Sequence, residues 1–252
     1  SLARLDNLIT FSSHSMSFKA IMDVGGHSKD IVSEDSRIFY QCWLRYNGDY
    51  EVTPLYIPVS MDTARDDSWW RSLKNLYLQQ RRWAWGTEHI PYLLWQFRLN
   101  KKISWTKKLA MLFHEWEGKW SWAVVAILIT VIGRLPLWVA GNEVRQSALF
   151  FNAPNILEVL MTMAMMGLLV SAIMSMLILP GRPGTHPRHH YLFMILQWLL
   201  LPVSLVLFSS LPCLDAVTHL MFGKYLGFNV TEKKRTEKYP KEIISQEVAA
   251  LR

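Results

Sequence analysis

Apolar residues are placed unevenly along this chain. Over the first 119 positions they alternate with polar ones, and after that they gather into long uncharged runs. No charge falls between Glu158 and Arg182, and Val159 to Leu179 is Leu, Met, Val and Ile with small residues. At 1.5 Å per residue that run is long enough to cross a hydrocarbon core of ~30 Å. Tyr191 to Leu214 is also uncharged, with Tyr191 and Trp198 toward one end, where interfacial anchors sit. A third run, Trp120 to Ala140, is interrupted by Arg134 and Pro136. If it spans, Arg134 lies near an interface and snorkels, because a central Arg costs about 2.5–3.5 kcal/mol on insertion scales. The pattern predicts about three (two to four) transmembrane helices over 120–223, serving as an anchor or lining a passage.

The first half reads differently. A helix is expected over about Phe18 to Val24, stopped by Gly25 and Gly26. A second helix, about Ser36 to Arg45, begins at Ser33, Glu34 and Asp35, whose two acids suit the positive end of the helix dipole. An Asn47-Gly48 turn follows, and then alternating Val, Leu, Ile and Tyr positions in NGDYEVTPLYIPVSMDT that predict a strand. The expected fold class is therefore α/β followed by membrane α-helix. From about Asp67 to Trp85, Trp70, Leu73, Leu76 and Tyr77 recur at helical spacing, with Asp67 or Ser68 as cap. Beyond it, Lys101, Lys102, Lys107, Lys108 and Lys119 are mixed with Leu109, Phe113, Trp116 and Trp120. That mixture predicts an amphipathic helix over 101–119, lying in the headgroup plane or showing a solvated basic face.

Composition narrows the class. In 252 residues, 51% are hydrophobic and 19% charged, with only two Cys, which excludes a disordered tail, a collagen-like fibre and a disulfide framework. The net charge of +7 is spread over loops rather than along one stripe, so no nucleic-acid partner is expected. The positive-inside rule puts the first half, connector 181–190 and the basic tail on the cytoplasmic side of the cell membrane. Three full crossings cannot meet that condition. Either the Trp120 run is interfacial or re-entrant, or the Tyr191 to Phe222 stretch breaks near Pro202 and turns back.

One helix face carries candidate chemistry. Gln79, Arg82 and Trp83 stand at i, i+3 and i+4, placing an amide, a guanidinium and an indole side by side. A guanidinium fork grips pyrophosphate oxygens, an amide adds a neutral hydrogen bond, and an indole offers a flat plate to a sugar ring. The same residues beside a membrane also serve as interfacial anchors.

Together these residues resemble a family. The Ser33-Glu34-Asp35 triplet, a strand-bearing interval, Q-Q-R-R-W at 79–83 and a basic amphipathic stretch before apolar spans are similar to the membrane-embedded family 2 inverting glycosyltransferases, such as cellulose, chitin and hyaluronan synthases. Gly25-Gly26 and the closing FGKYLGFNVTEKKR are similar as well, so that the likeness runs from about His14 to Arg235. The resemblance implies that residues 1–100 are the acceptor-side, C-terminal part of a GT-A-like catalytic domain. An interface helix at 101–119, a membrane region at 120–223 and a basic polar tail at 224–252 would follow. It implies Asp35 as general base, Gln79, Arg82 and Trp83 on the substrates, Glu34 as a neighbour of the base, and His14 near the acceptor or as an ordinary loop residue. The implied partners are a nucleotide-sugar donor, a glycan or glycolipid acceptor and the lipid bilayer. A divalent metal, Mg or Mn, is implied for the intact enzyme, yet this chain contains no Asp-x-Asp to hold it. The chain is therefore expected to be a fragment, inactive alone, whose upstream part carries that motif. The competing class is a non-catalytic membrane scaffold or partner protein.

The remaining features read more simply. His186, His189 and His190 lack Cys or carboxylate companions and suggest a wet, titrating loop rather than a metal site. Cys42 and Cys213 suggest buried thiols, and Asn229 with Thr231 forms a glycosylation acceptor that a cytoplasmic tail would leave unused.

Overall fold

Every regular element among the described residues is helical. The computed structural model describes residues 8–57, 66–130, 148–178, 192–193 and 196–227. Five helices lie in the first half and its extension: α1 (Phe18–Val24), α2 (Glu34–Arg45), α3 (Trp69–Ala84), α4 (His89–Leu99) and α5 (Trp105–Thr130), with a 3-10 turn at Trp85–Glu88 joining α3 to α4. After them come α6 (Ala148–Ile178), a 3-10 turn at Gln197–Leu200, α7 (Leu201–Leu205), a π turn at Val206–Ser210 and α8 (Leu211–Met221).

The expected α/β layout is overturned, because no strand occurs among the described residues. A GT-A-like domain part is therefore not supported. The reason lies in how the Asn-Gly pair is used. Asn47 and Gly48 do have positive φ, 55° and 80°, as a hairpin turn requires. Here, however, the Gly48 N–H bonds back to the Trp43 carbonyl at 2.8 Å and the Tyr46 N–H to Cys42 at 2.9 Å. The pair thus closes the C-terminus of α2 and turns no hairpin. In the alternating segment that follows, Tyr50 and Val52 do pack on the α2 core, but among the described residues no neighbouring strand offers a ladder. Alternation encodes which side faces the core; a sheet needs a partner edge as well. Residues 58–63 of that segment lie outside the described residues.

Helix signals were more reliable. The Ser17 hydroxyl accepts the Ala20 N–H at 3.2 Å at the start of α1, and Gly25, with φ 79°, ends it. Phe39, Tyr40 and Trp43 of α2 pack against Leu93 and Phe97 of α4 and against Ile103. A second core holds Val32, Ala84 and Trp85 together with Ala123 of α5 and Cys213 and Ala216 of α8. That core joins the first half of the chain to an apolar helix of the second.

The helix α5 runs unbroken across 119–120. Its polarity is inverted relative to a soluble amphipathic helix: Lys108 and Glu115 are buried, while Leu109, Phe113, Trp116 and Trp120 are exposed. The buried Lys108 ammonium donates to the carbonyls of Phe97 at 2.8 Å and Asn100 at 2.5 Å, capping the end of α4. Among the described residues two helices are long and apolar enough to cross a membrane, Glu158–Ile178 and Gln197–Met221. The second stays helical past Pro202, which sits at the start of α7, where its missing N–H costs little. Thus no turn-back occurs there. Arg134, Pro136, the 181–190 connector with its three His, and the tail from 228 lie outside the described residues.

Candidate functional site

Asp35 occupies the first turn of α2 and is half-buried. Its Oδ1 accepts the Ser36 N–H at 2.9 Å, and its carbonyl accepts the Thr10 hydroxyl at 2.5 Å. Glu34 precedes it in the same turn, also half-buried. Ser33, the first residue of the triplet, makes no capping bond to its own helix. Its hydroxyl instead donates to Glu88 Oε1 at 3.0 Å, 55 residues away.

That bond opens onto a buried polar cluster at the α3–α4 turn. Glu88 also accepts the Trp85 indole N–H on Oε2 at 3.0 Å, and the Arg37 guanidinium lies 3.9 Å from its Oε1. Burial raises the Glu88 carboxyl above its usual range, while the hydrogen bonds from Ser33 and Trp85 and the positive charge of Arg37 oppose the rise. His89 is the next residue and is 1% exposed. Burial first, and then the positive charges of Arg37 and Lys119, push its pKa down to about 2, so that the ring is neutral. The bond pattern assigns its tautomer. Arg37 Nε–H donates to Nδ1 at 3.2 Å, which leaves the ring proton on Nε2, 2.8 Å from Ser36 Oγ. The Ser36 hydroxyl then donates to the Ser33 carbonyl at 3.2 Å. Arg37 stacks over the Tyr92 ring at 3.7 Å, and Tyr40 lies 4.9 Å from the His89 ring. The turn carrying Asp35 is thus fixed from both sides by residues of the α3–α4 junction.

Gln79, Arg82 and Trp83 lie in the last turns of α3, immediately before that junction. Gln79 and Arg82 are half-buried, and Trp83 is 50% exposed. The structure joins the triplet to the end of their helix through Val32 against Ala84 and Trp85, and through Ser33 to Glu88. Two surface cavities, of about 730 and 1030 Å³, are lined by neither Asp35 nor Gln79, Arg82 and Trp83. His14 is apart from this cluster: its Nδ1 bonds the Phe11 carbonyl and its ring lies 6.0 Å from that of His27.

The neighbouring Arg81, one residue from the motif's Arg, makes the link to the membrane half. Its Nη1 reaches Asp215 Oδ2 at 3.0 Å, and the Tyr77 hydroxyl donates to the same oxygen at 3.1 Å. On α8 itself, His219 Nδ1 sits 2.9 Å from Asp215 Oδ1. Sequence reading passed over Glu88, His89, Arg37, Arg81 and Asp215. The signal for three of them was available: Glu88-His89 stands five residues beyond Trp83, and Asp215 is the one acid in an otherwise apolar stretch. Among the described residues no three His, Cys, Asp or Glu side chains come together to hold a metal ion. No protein-family model, characterised protein or solved structure matches this chain.

Proposed function

We propose that this chain belongs to a membrane-bound inverting glycosyltransferase, which moves a hexose from a nucleotide-sugar to a glycan or glycolipid. The observation that carries the reading is the junction just described, where the Ser-Glu-Asp turn is tied through Ser33 and Val32 to the end of the Q-x-x-R-W helix. In this reading Asp35 takes the proton of an acceptor hydroxyl while that oxygen attacks the anomeric carbon, on the face opposite the departing nucleotide. A single displacement inverts the configuration. Arg82 and Gln79 hold the pyrophosphate as negative charge grows on it, and Trp83 stacks on the acceptor ring. Asp35 suits the role because its carboxylate is half-buried and accepts one hydrogen bond among the described residues, from Ser36 N–H. Arg81 and Asp215 would hold the motif helix against a membrane-crossing helix, at the bilayer's cytoplasmic edge.

The exposure of Trp69, Trp70 and Trp83 favours a second reading, a non-catalytic anchored partner whose aromatic residues only sit at the interface. One experiment separates the two. In the full-length membrane protein, Asp35→Asn should abolish labelled-hexose transfer from a panel of nucleotide-sugars while insertion stays normal. No transfer by the unmutated protein from any donor would favour the anchored partner.

A further inference from the structure

Of the polar groups near Asp35, the most deeply placed do not touch it. Glu88 and His89 lie on the α3–α4 junction, yet each has one hydrogen bond to a residue that flanks Glu34 and Asp35, Glu88 to Ser33 and His89 to Ser36. Ser36 is the pivotal one. Its backbone N–H fixes Asp35 Oδ1 at 2.9 Å, while its hydroxyl lies between His89 Nε2 and the Ser33 carbonyl. The directions of these bonds are set by a neutral imidazole: Arg37 to Nδ1, Nε2 to Ser36, Ser36 to Ser33. Within this cluster the imidazole meets one donor, Arg37 Nε–H at Nδ1, and one acceptor, Ser36 Oγ at Nε2, so the tautomer and the direction of the bonds are fixed together. Structural packing alone requires none of this at the first turn of α2. An ordinary Ser N-cap would satisfy its own helix, whereas the Ser33 hydroxyl is turned away from α2 and onto Glu88.

We propose that Glu88 and His89 are positioning residues, which act through Ser33 and Ser36 to aim the Asp35 carboxylate relative to the helix end that bears Gln79, Arg82 and Trp83. This inference rests on the glycosyl-transfer reading, since it needs a base to position. A carboxylate misplaced by about 1 Å loses on the order of 100-fold in rate, and that loss falls on turnover rather than on donor binding.

The test uses the full-length protein in lipid nanodiscs, with Ser33→Ala, Ser33→Thr, Glu88→Gln and His89→Gln compared by kcat, donor KM and thermal melting. Expected are losses of about 10- to 100-fold in kcat for Ser33→Ala, Glu88→Gln and His89→Gln with donor KM unchanged. Ser33→Thr, which keeps the hydroxyl, should recover most of the rate. The Ser33→Ala/Glu88→Gln double variant should be no slower than the worse single one, because Ser33→Ala removes outright the bond that a neutral Gln amide only weakens. Full kcat in these variants while Asp35→Asn is inactive would overturn the positioning role and leave the base assignment standing. Rate losses that simply follow falling melting temperatures would overturn it too, as structural damage. An active Asp35→Asn would instead remove the glycosyl-transfer reading itself, and the positioning role with it.

Discussion

The junction of α2 with the α3–α4 turn and the helix α6 are opposite solutions to being out of water. At the junction, Arg37 and His89 are nearly inaccessible and Glu88 is half-buried, and each is held by named partners. In α6 the apolar stretch Glu158–Ile178 has none of its residues buried against the rest of the chain. One region spends polar chemistry on a single geometry; the other presents an unbroken apolar surface, as lipid would require. The helix Gln197–Met221 stands between them, with 22% of its apolar stretch buried and Asp215 bonded to α3. Length and hydropathy alone do not distinguish a helix that merely crosses from one that is built into the folded part. A charged residue bonded across to another helix, as half-buried Asp215 is, does.

Substitutions should divide along this line. The largest effect on stability is expected at Arg37: removing it leaves Glu88 buried without its cation and His89 Nδ1 without its donor, so Arg37→Ala should cost about 3–5 kcal/mol. Detergent unfolding would measure it, and a loss below about 1 kcal/mol would break the contrast. Asp215→Asn should cost about 1–2 kcal/mol, because the partly exposed Arg81 and Tyr77 keep some access to water. A double-mutant cycle with Arg81→Ala should show coupling between the two, and strict additivity would deny the clamp.

Acidity sharpens the comparison further. His89 has an ordinary pKa near 6.5 in the unfolded chain and about 2 when folded. Between those values the unfolded state takes a proton that the folded state refuses, so stability falls as pH drops below 6.5 toward 2. Glu88 has the opposite sign: its raised folded pKa contributes stability below 4.5 that is lost as pH rises through the raised value. Lowering the pH from 7 to 5 should therefore depress the melting temperature, and His89→Gln should flatten that slope. An equally steep slope in the variant would place the acid-sensitive group elsewhere. The smallest effect belongs to α6, where Met166 is exposed and Met166→Leu should change stability by less than about 0.5 kcal/mol.

How much of this was legible in the sequence follows from the range of each interaction. Helices α1, α2 and α3 were found close to their observed ends, because caps, Gly stops and 3.6-residue spacing act within one turn. The strand failed at Asn47-Gly48, whose positive φ serves a helix end as readily as a hairpin, and nothing within a few residues says which. Gln79, Arg82 and Trp83 were visible as one helix face. Their tie to the Asp35 turn depends on Ser33 meeting Glu88 across 55 positions, a separation that no local pattern encodes. Helix α5 shows the same limit: its lysines suggested a face turned to headgroups or to water, but Lys108 binds the carbonyls that end α4.

The most direct test of the account is hexose transfer by the full-length protein with Asp35→Asn, set against Asp35→Glu and the unmutated form at equal membrane abundance. The account predicts no detectable transfer for Asn, a small residual rate for the displaced carboxylate of Glu, and unchanged insertion for both. Transfer by Asp35→Asn at the unmutated rate would contradict it.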